Sequence, residues 1–163
     1  MAKAARGRKP KSGVELLGVG AILYTPDGRY LMQLRDDRPE VSMSNQWGLF
    51  GGVVEKHERP ERALARELIE ELSFSPKAKP LRFSQISWNL GFAGQGTHAK
   101  IFYALQITEK SVRRMLLGEG REMRLFSLAK LLATDNVIPW DAFGITLFAR
   151  RAVIRKRIRR YRR

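Results

Sequence analysis

Apolar residues follow two rhythms along this chain. From Val14 to Thr25 the run VELLGVGAILYT is almost unbroken, the pattern of a strand covered on both faces. "TPDGRY" then offers Pro, Asp and Gly in turn order, and YLMQLR follows as the return strand of a hairpin. The polar stretch from Asp36 to Gln46 reads as a loop, and WGLFGGVVE as a short strand entering a Gly-Gly turn. From Pro60 to Leu72 the rhythm becomes helical, and Leu64, Ala65, Leu68, Ile69 and Leu72 predict one apolar stripe. Alternation returns in LRFSQISWNL (81–90) and HAKIFYALQIT (98–108), two strands flanking the Gly-rich GFAGQG. GEGREMRLFSLAKLL reads as a loop, a short strand and a helix capped by Ser127. From about Trp140 the chain is predicted helical, with Trp140, Phe143, Leu147, Ile154, Ile158 and Tyr161 as a broken apolar seam. This mixture, without an internal repeat, predicts a single layered domain of α/β (α+β) class.

Composition narrows the chemistry. A chain of 163 residues is long enough for one domain with a sizeable core. It has no cysteine, so disulfides, thiolate catalysis and Cys-based zinc or iron–sulfur sites are excluded. No apolar run approaches the roughly 20 residues of a membrane span, and nothing resembles a secretory leader, so a cytoplasmic protein is expected. The net charge is +15, but it sits at the ends. Residues 1–11 hold five basic residues and residues 150–163 hold nine, with no acid in either stretch. The part between them is nearly neutral. The expected organisation is a flexible basic arm (1–12), a folded domain (13–150) and a basic helical extension (151–163). Those ends suit nucleic acid or another anionic surface, or serve only solubility. The last helix could equally pack its apolar stripe on the body.

Against this basic background, Glu55, Glu58, Glu61, Glu67, Glu70 and Glu71 crowd into one short segment. Glu67, Glu70 and Glu71 stand at i, i+3 and i+4, on neighbouring positions of the predicted helix. Their mutual repulsion calls for a compensating positive charge. Arg66 could supply it, and a divalent cation could supply it better, since Mg²⁺ is a hard ion that takes carboxylate oxygens. A solvated acidic face is the plain alternative.

The spacing weighs against the plain alternative. Gly52, five residues, Glu58, seven residues, then Arg66-Glu67-Leu68-Ile69-Glu70-Glu71-Leu72-Ser73-Phe74 closely resembles the Nudix box of the Nudix (MutT-type) hydrolases. Ser73 alone departs from the fixed positions, standing where the box has Gly. WGLFGG and the stretch from Glu119 to Leu128 are similar to further family segments, so the resemblance covers roughly residues 14–150. It implies an α/β/α sandwich with a mixed sheet, and a hydrolase that cleaves the pyrophosphate bond of a nucleoside diphosphate linked to another group. It implies Mg²⁺, with Mn²⁺ as a substitute, held by the Gly51 carbonyl, Glu67, Glu70, Glu71 and Glu119. Glu67 would also orient or deprotonate water, Arg66 would position the carboxylates, and Glu58 and Gly52 would shape the motif. An RNA 5′-end pyrophosphohydrolase guided by the basic ends is the second reading, and a non-catalytic binding module on the same fold is the third. Candidate substrate contacts are Arg35, which either grips phosphate or pairs with Asp36 and Asp37, and Trp47, which either stacks on a base or belongs to the core. Ser73 should sit in the left-handed backbone region that glycine prefers.

Overall fold

Strand β1 (Val14–Tyr24) runs through the middle of a six-stranded mixed sheet in the computed structural model, which describes residues 14–89 and 97–161. The expected N-terminal arm and the GFAGQG connection lie outside the described residues. Strand β1 turns through the Thr25–Gly28 corner into β2 (Tyr30–Leu34), antiparallel to it. On its other side it pairs in parallel with β5 (Thr97–Gln106), which pairs antiparallel with β4 (Leu81–Asn89). Both β3 (Trp47–Gly48) and β6 (Glu122–Phe126) pair with β2.

Helices cover both faces of this sheet. Helix α1 (Pro60–Leu72) lies on one face, packing Leu64, Leu68 and Leu72 against Val19, Ala21, Leu31, Phe50 and Ile101. Helices α3 (Leu128–Leu132) and α4 (Pro139–Ala149) cover the other, where Leu131, Ile145 and Phe148 meet Ile22, Met32, Leu49 and Phe102. The α/β/α sandwich with a mixed sheet is therefore present. As expected, Ser127 caps α3, its hydroxyl accepting from the Lys130 N–H at 3.2 Å. A short helix, α2 (Glu109–Val112), was not expected; Thr108 and Ser111 close it as a reciprocal capping box.

Three expectations need correction. The buried stripe of α1 is Ala63, Leu64, Leu68, Glu71 and Leu72, whereas Ala65 and Ile69 face out. The Leu64/Leu68 pair and its i+7 position set the buried face, and that position is Glu71. Second, the terminal helix is two helices, α4 and α5 (Arg151–Tyr161), separated at Arg150, whose ψ of 3° turns the backbone off the helical path. Third, the expected seam does not pack as one. The core takes Gly144, Ile145 and Phe148, while Phe143, Ile154 and Ile158 stay exposed.

Candidate functional site

The Gly-Gly turn comes first, because it brings strand backbone against the acidic helix. Phe50 and Gly52 accept the amides of Ala21 and Val19 on β1 at 2.8 and 2.9 Å, which fixes the turn to the sheet. Gly51 between them has φ +127°, a region closed to side chains, and a Cβ there would strike the Val19 carbonyl. At Gly52 a Cβ would collide with the Glu67 carboxylate. The bare Gly51 thus lets the turn lie against β1, and the bare Gly52 leaves room for the Glu67 carboxylate of α1.

Facing them, Arg66 gathers the carboxylates. Its Nη2 and Nε donate to Glu58 at 3.0 and 3.2 Å, and its Nη1 donates to Glu67 at 2.8 Å and Glu70 at 3.2 Å. Nη2 also reaches the Val53 carbonyl at 3.1 Å, so the helix, the preceding loop and the turn share one guanidinium. The bonds to Glu58 above all hold Arg66 firmly protonated, and Arg66 in turn holds the Glu58 carboxyl below its ordinary range.

Glu71 is placed differently. Only 3 % exposed, it accepts from Gln33 Nε2 on β2 and from the Gly51 N–H, both at 2.6 Å. Burial pushes its carboxyl up to about 7; the two hydrogen bonds pull the other way, and the charges of Glu67 and Glu119 push further up. Burial also raises the Glu67 carboxyl, Arg66 opposes it, and the charges of Glu70 and Glu119 add to the rise. The site therefore carries more negative charge than its depth accommodates.

The loop before β6 supplies Glu119, and it does so by completing α1. The last carbonyls of a helix lack partners within it. Here the amides of Leu116 and Gly118 donate to Leu72 and Glu71 at 3.0 and 2.8 Å, and Arg121 donates to the Leu34 carbonyl of β2 at 2.8 Å. Gly118 lies so close that a Cβ would run into the Glu70 carbonyl oxygen. Glu119 is thus strung between the end of α1 and the end of β2. With Gln33, Arg35, Asp36 and Glu71 it lines a cleft of about 90 Å³, room for about three waters.

Arg35 lines that cleft, its Nε donating to the Ser42 carbonyl at 2.8 Å, and makes no ion pair among the described residues. Its neighbour Arg38 takes Asp36 instead, at 2.7 Å. Trp47 does not line it. Only 6 % exposed, it packs edge-on against Phe126 with the Arg124 guanidinium over its ring, so stacking on a base is replaced by a core role. Gln33 and Gly118 escaped the sequence reading. A glutamine inside the apolar run YLMQL was the available signal for the first; for the second there was none.

A hard divalent ion suits these donors, all of them oxygens: four carboxylates and the Gly51 carbonyl. In the present arrangement no three acidic or histidine side chains among the described residues close around one point. The reason is visible. Arg66 draws Glu67 and Glu70 to itself, and Glu71 is occupied by Gln33 and Gly51.

A mixed sheet sandwiched between helices, with a carboxylate-lined cleft beside a Gly-Gly turn, defines the class as a small α/β/α domain with an acidic site. A family model described as NUDIX domain matches residues 15–144, and the chain belongs to that family, whose hydrolases cleave pyrophosphate linkages. Among solved structures it resembles a MutT protein from Methanosarcina mazei Go1 (21% identity, 84% of this chain and 94% of that one, TM-score 0.69). It also resembles the NUDIX domain of Shewanella oneidensis NrtR, solved with ADP ribose (20%, 86% and 90%, 0.68). A third is the E. coli dihydroneopterin triphosphate pyrophosphohydrolase (19%, 82% and 94%, 0.64). At such identities these likenesses concern the fold. No curated protein matches the chain.

Proposed function

We propose that this protein is a divalent-metal-dependent pyrophosphohydrolase acting on a nucleoside diphosphate derivative. The observation that carries the reading is a set of neighbouring carboxylates: Glu71 and Glu119 line one cleft, and Glu71 and Glu67 are both raised, by burial first and then by nearby carboxylates, Glu119 among them in each case. Such a set is balanced by an added cation, and Mg²⁺ or Mn²⁺ is the ion whose ligand preference it meets. When bound, the ion would neutralise diphosphate oxygens and acidify a water, with Glu67, Glu70, Glu71, Glu119 and the Gly51 carbonyl as its holders.

The chain's own residues do the rest. Arg66 remains charged and keeps Glu67 and Glu70 in register with the turn, a positioning task rather than a chemical one. Glu67, half-buried and raised, is the carboxylate best suited to orient or deprotonate a water, work typically worth about 10²- to 10⁴-fold. Arg35, at the rim beside Glu119, offers a guanidinium to a phosphate group. The structural neighbours named for ADP ribose and for a pterin triphosphate lend support to a nucleotide-type substrate.

The test is turnover of a panel of nucleoside triphosphates, nucleotide sugars, ADP-ribose and dinucleoside polyphosphates with Mg²⁺ or Mn²⁺, following released phosphate products. Glu70→Gln and Glu67→Gln should each lose turnover by at least about a hundredfold while remaining folded. Full activity of Glu70→Gln, or turnover indifferent to chelation, would overturn the assignment.

A further inference from the structure

The C-terminal helix α5 is joined firmly at its root and exposed from Ala152 to Ile158. Arg151 donates to the Phe148 carbonyl at 2.8 Å, and its guanidinium lies 3.8 Å from the Phe148 ring centroid and 5.6 Å from that of Tyr24. Beyond that anchor, every residue from Ala152 to Ile158 is exposed. Val153, Ile154 and Ile158 are 46, 37 and 50 % exposed. Ile154 and Ile158 stand at i and i+4, one above the other on a single face. Arg155, Lys156 and Arg157 are exposed around them, and residues 150–163 hold nine basic residues and no acid.

We propose that α5 is a docking element for an anionic lipid bilayer. Charge alone would suit any polyanion, but aliphatic side chains standing in water on a helix this basic are matched by an apolar layer beneath the charged one. Phosphate headgroups would meet the arginines while Ile154, Ile158 and Val153 enter the acyl boundary. Single-stranded RNA has phosphates but no apolar layer, so it would leave the isoleucines without a role. A second copy of this chain would bring like charge against like charge. The anchored root gives the helix a fixed exit from the α4 face of the sandwich, so docking holds the body at the surface. The proposal is independent of the catalytic reading.

The experiment is co-sedimentation of the full chain with vesicles of phosphatidylcholine containing phosphatidylglycerol, against pure phosphatidylcholine and against single-stranded RNA on beads. Wild type is expected to pellet with the anionic vesicles at physiological salt and not with the neutral ones. Ile154→Gln with Ile158→Gln keeps every charge and should weaken vesicle binding roughly tenfold or more while leaving RNA retention unchanged. Arg155→Gln with Arg157→Gln should weaken it by a similar factor. Both pairs lie outside the core, so an unchanged melting temperature checks that the body is intact. Absence of wild type from the anionic pellet, or vesicle binding unaffected by the isoleucine pair, overturns the proposal; the latter result combined with strong RNA retention would assign the helix to nucleic acid.

Discussion

Raising the pH of the metal-free protein should destabilise it, and Glu71 sets how far. Its carboxyl titrates near 7 in the fold against an ordinary 4.5. Each unit of difference is worth about 1.4 kcal/mol, so the whole displacement amounts to about 3 kcal/mol. The sign follows from which state binds the proton more tightly. Here it is the folded state, so the contribution is fully present below pH 4.5, falls as pH rises, and is gone above about 7. Glu67, also raised by burial, adds in the same direction. The carboxyls held low, Asp27, Glu58 and Glu61, change their contribution below this window. Urea denaturation in chelator at pH 5, 6, 7 and 8, with ionic strength matched, reads the slope directly. Glu71→Gln removes the titrating group and should flatten most of it, whatever it does to the stability at one pH. Adding Mg²⁺ at pH 8 should restore stability to the wild type, because an ion that binds only the folded state stabilises it by mass action. A flat wild-type profile, or the same slope in Glu71→Gln, would refute the claim that burial of this carboxylate governs the site's charge balance.

Other consequences are simpler to measure. Ser73 occupies the left-handed region (φ 49°, ψ 35°) while its amide and that of Phe74 close the end of α1 on Ile69 and Leu68. Ser73→Gly should therefore raise stability by about 1 kcal/mol, seen as a melting temperature about 3 °C higher; a decrease would contradict the strain. Gly118→Ala must push the loop off the Glu70 carbonyl and displace Glu119, so turnover should fall about a hundredfold while the melting temperature drops only modestly. Buried Asp141 on α4 accepts from Lys100 at 2.6 Å and from the Leu49 amide at 2.9 Å. Asp141→Asn should cost about 3–5 kcal/mol by leaving the ammonium unpaired, and Lys100→Met in the same chain should recover much of it. Equal losses in the single and double variants, read from denaturant midpoints, would count against the pair.

Much of the fold is legible because strand and helix periods differ. β1, β2, β4 and α1 begin and end within a residue or so of where their patterns change: β1, β2 and α1 each bury apolar residues in the core, and β4 adds the partly buried Phe83 and Ile86. Legibility fails where a pattern has no partner. Phe143, Leu147, Ile154 and Ile158 keep helical spacing across Arg150, yet the core takes Ile145 and Phe148, and the helix breaks between the two groups. Spacing alone does not say which of two apolar stripes meets a sheet. Trp47 shows the same limit from the other side, because a large ring beside a strand looks alike whether it lines a pocket or fills a core.

The candidate site divides along a similar line. Gly51, Gly52, Glu58, Arg66, Glu67, Glu70 and Glu71 are fixed by spacing within one segment, so the sequence holds their mutual placement almost complete. What it conceals is their depth. Glu70 and Glu71 are neighbours in every motif, yet Glu70 is half exposed and Glu71 is buried. The distinction was available in the helix arithmetic. Glu71 stands three residues from Leu68 and seven from Leu64, on the face those leucines bury, while Glu70 does not. A carboxylate on a core face needs donors, and Gln33 is the one polar residue of β2 placed to provide one. Read this way, the glutamine that looks out of place in an apolar strand and the glutamate that looks out of place on an apolar stripe explain each other. The rule carries beyond this chain: two polar residues that each break a neighbouring pattern are a reason to expect contact across the layers, at the place where chemistry is housed.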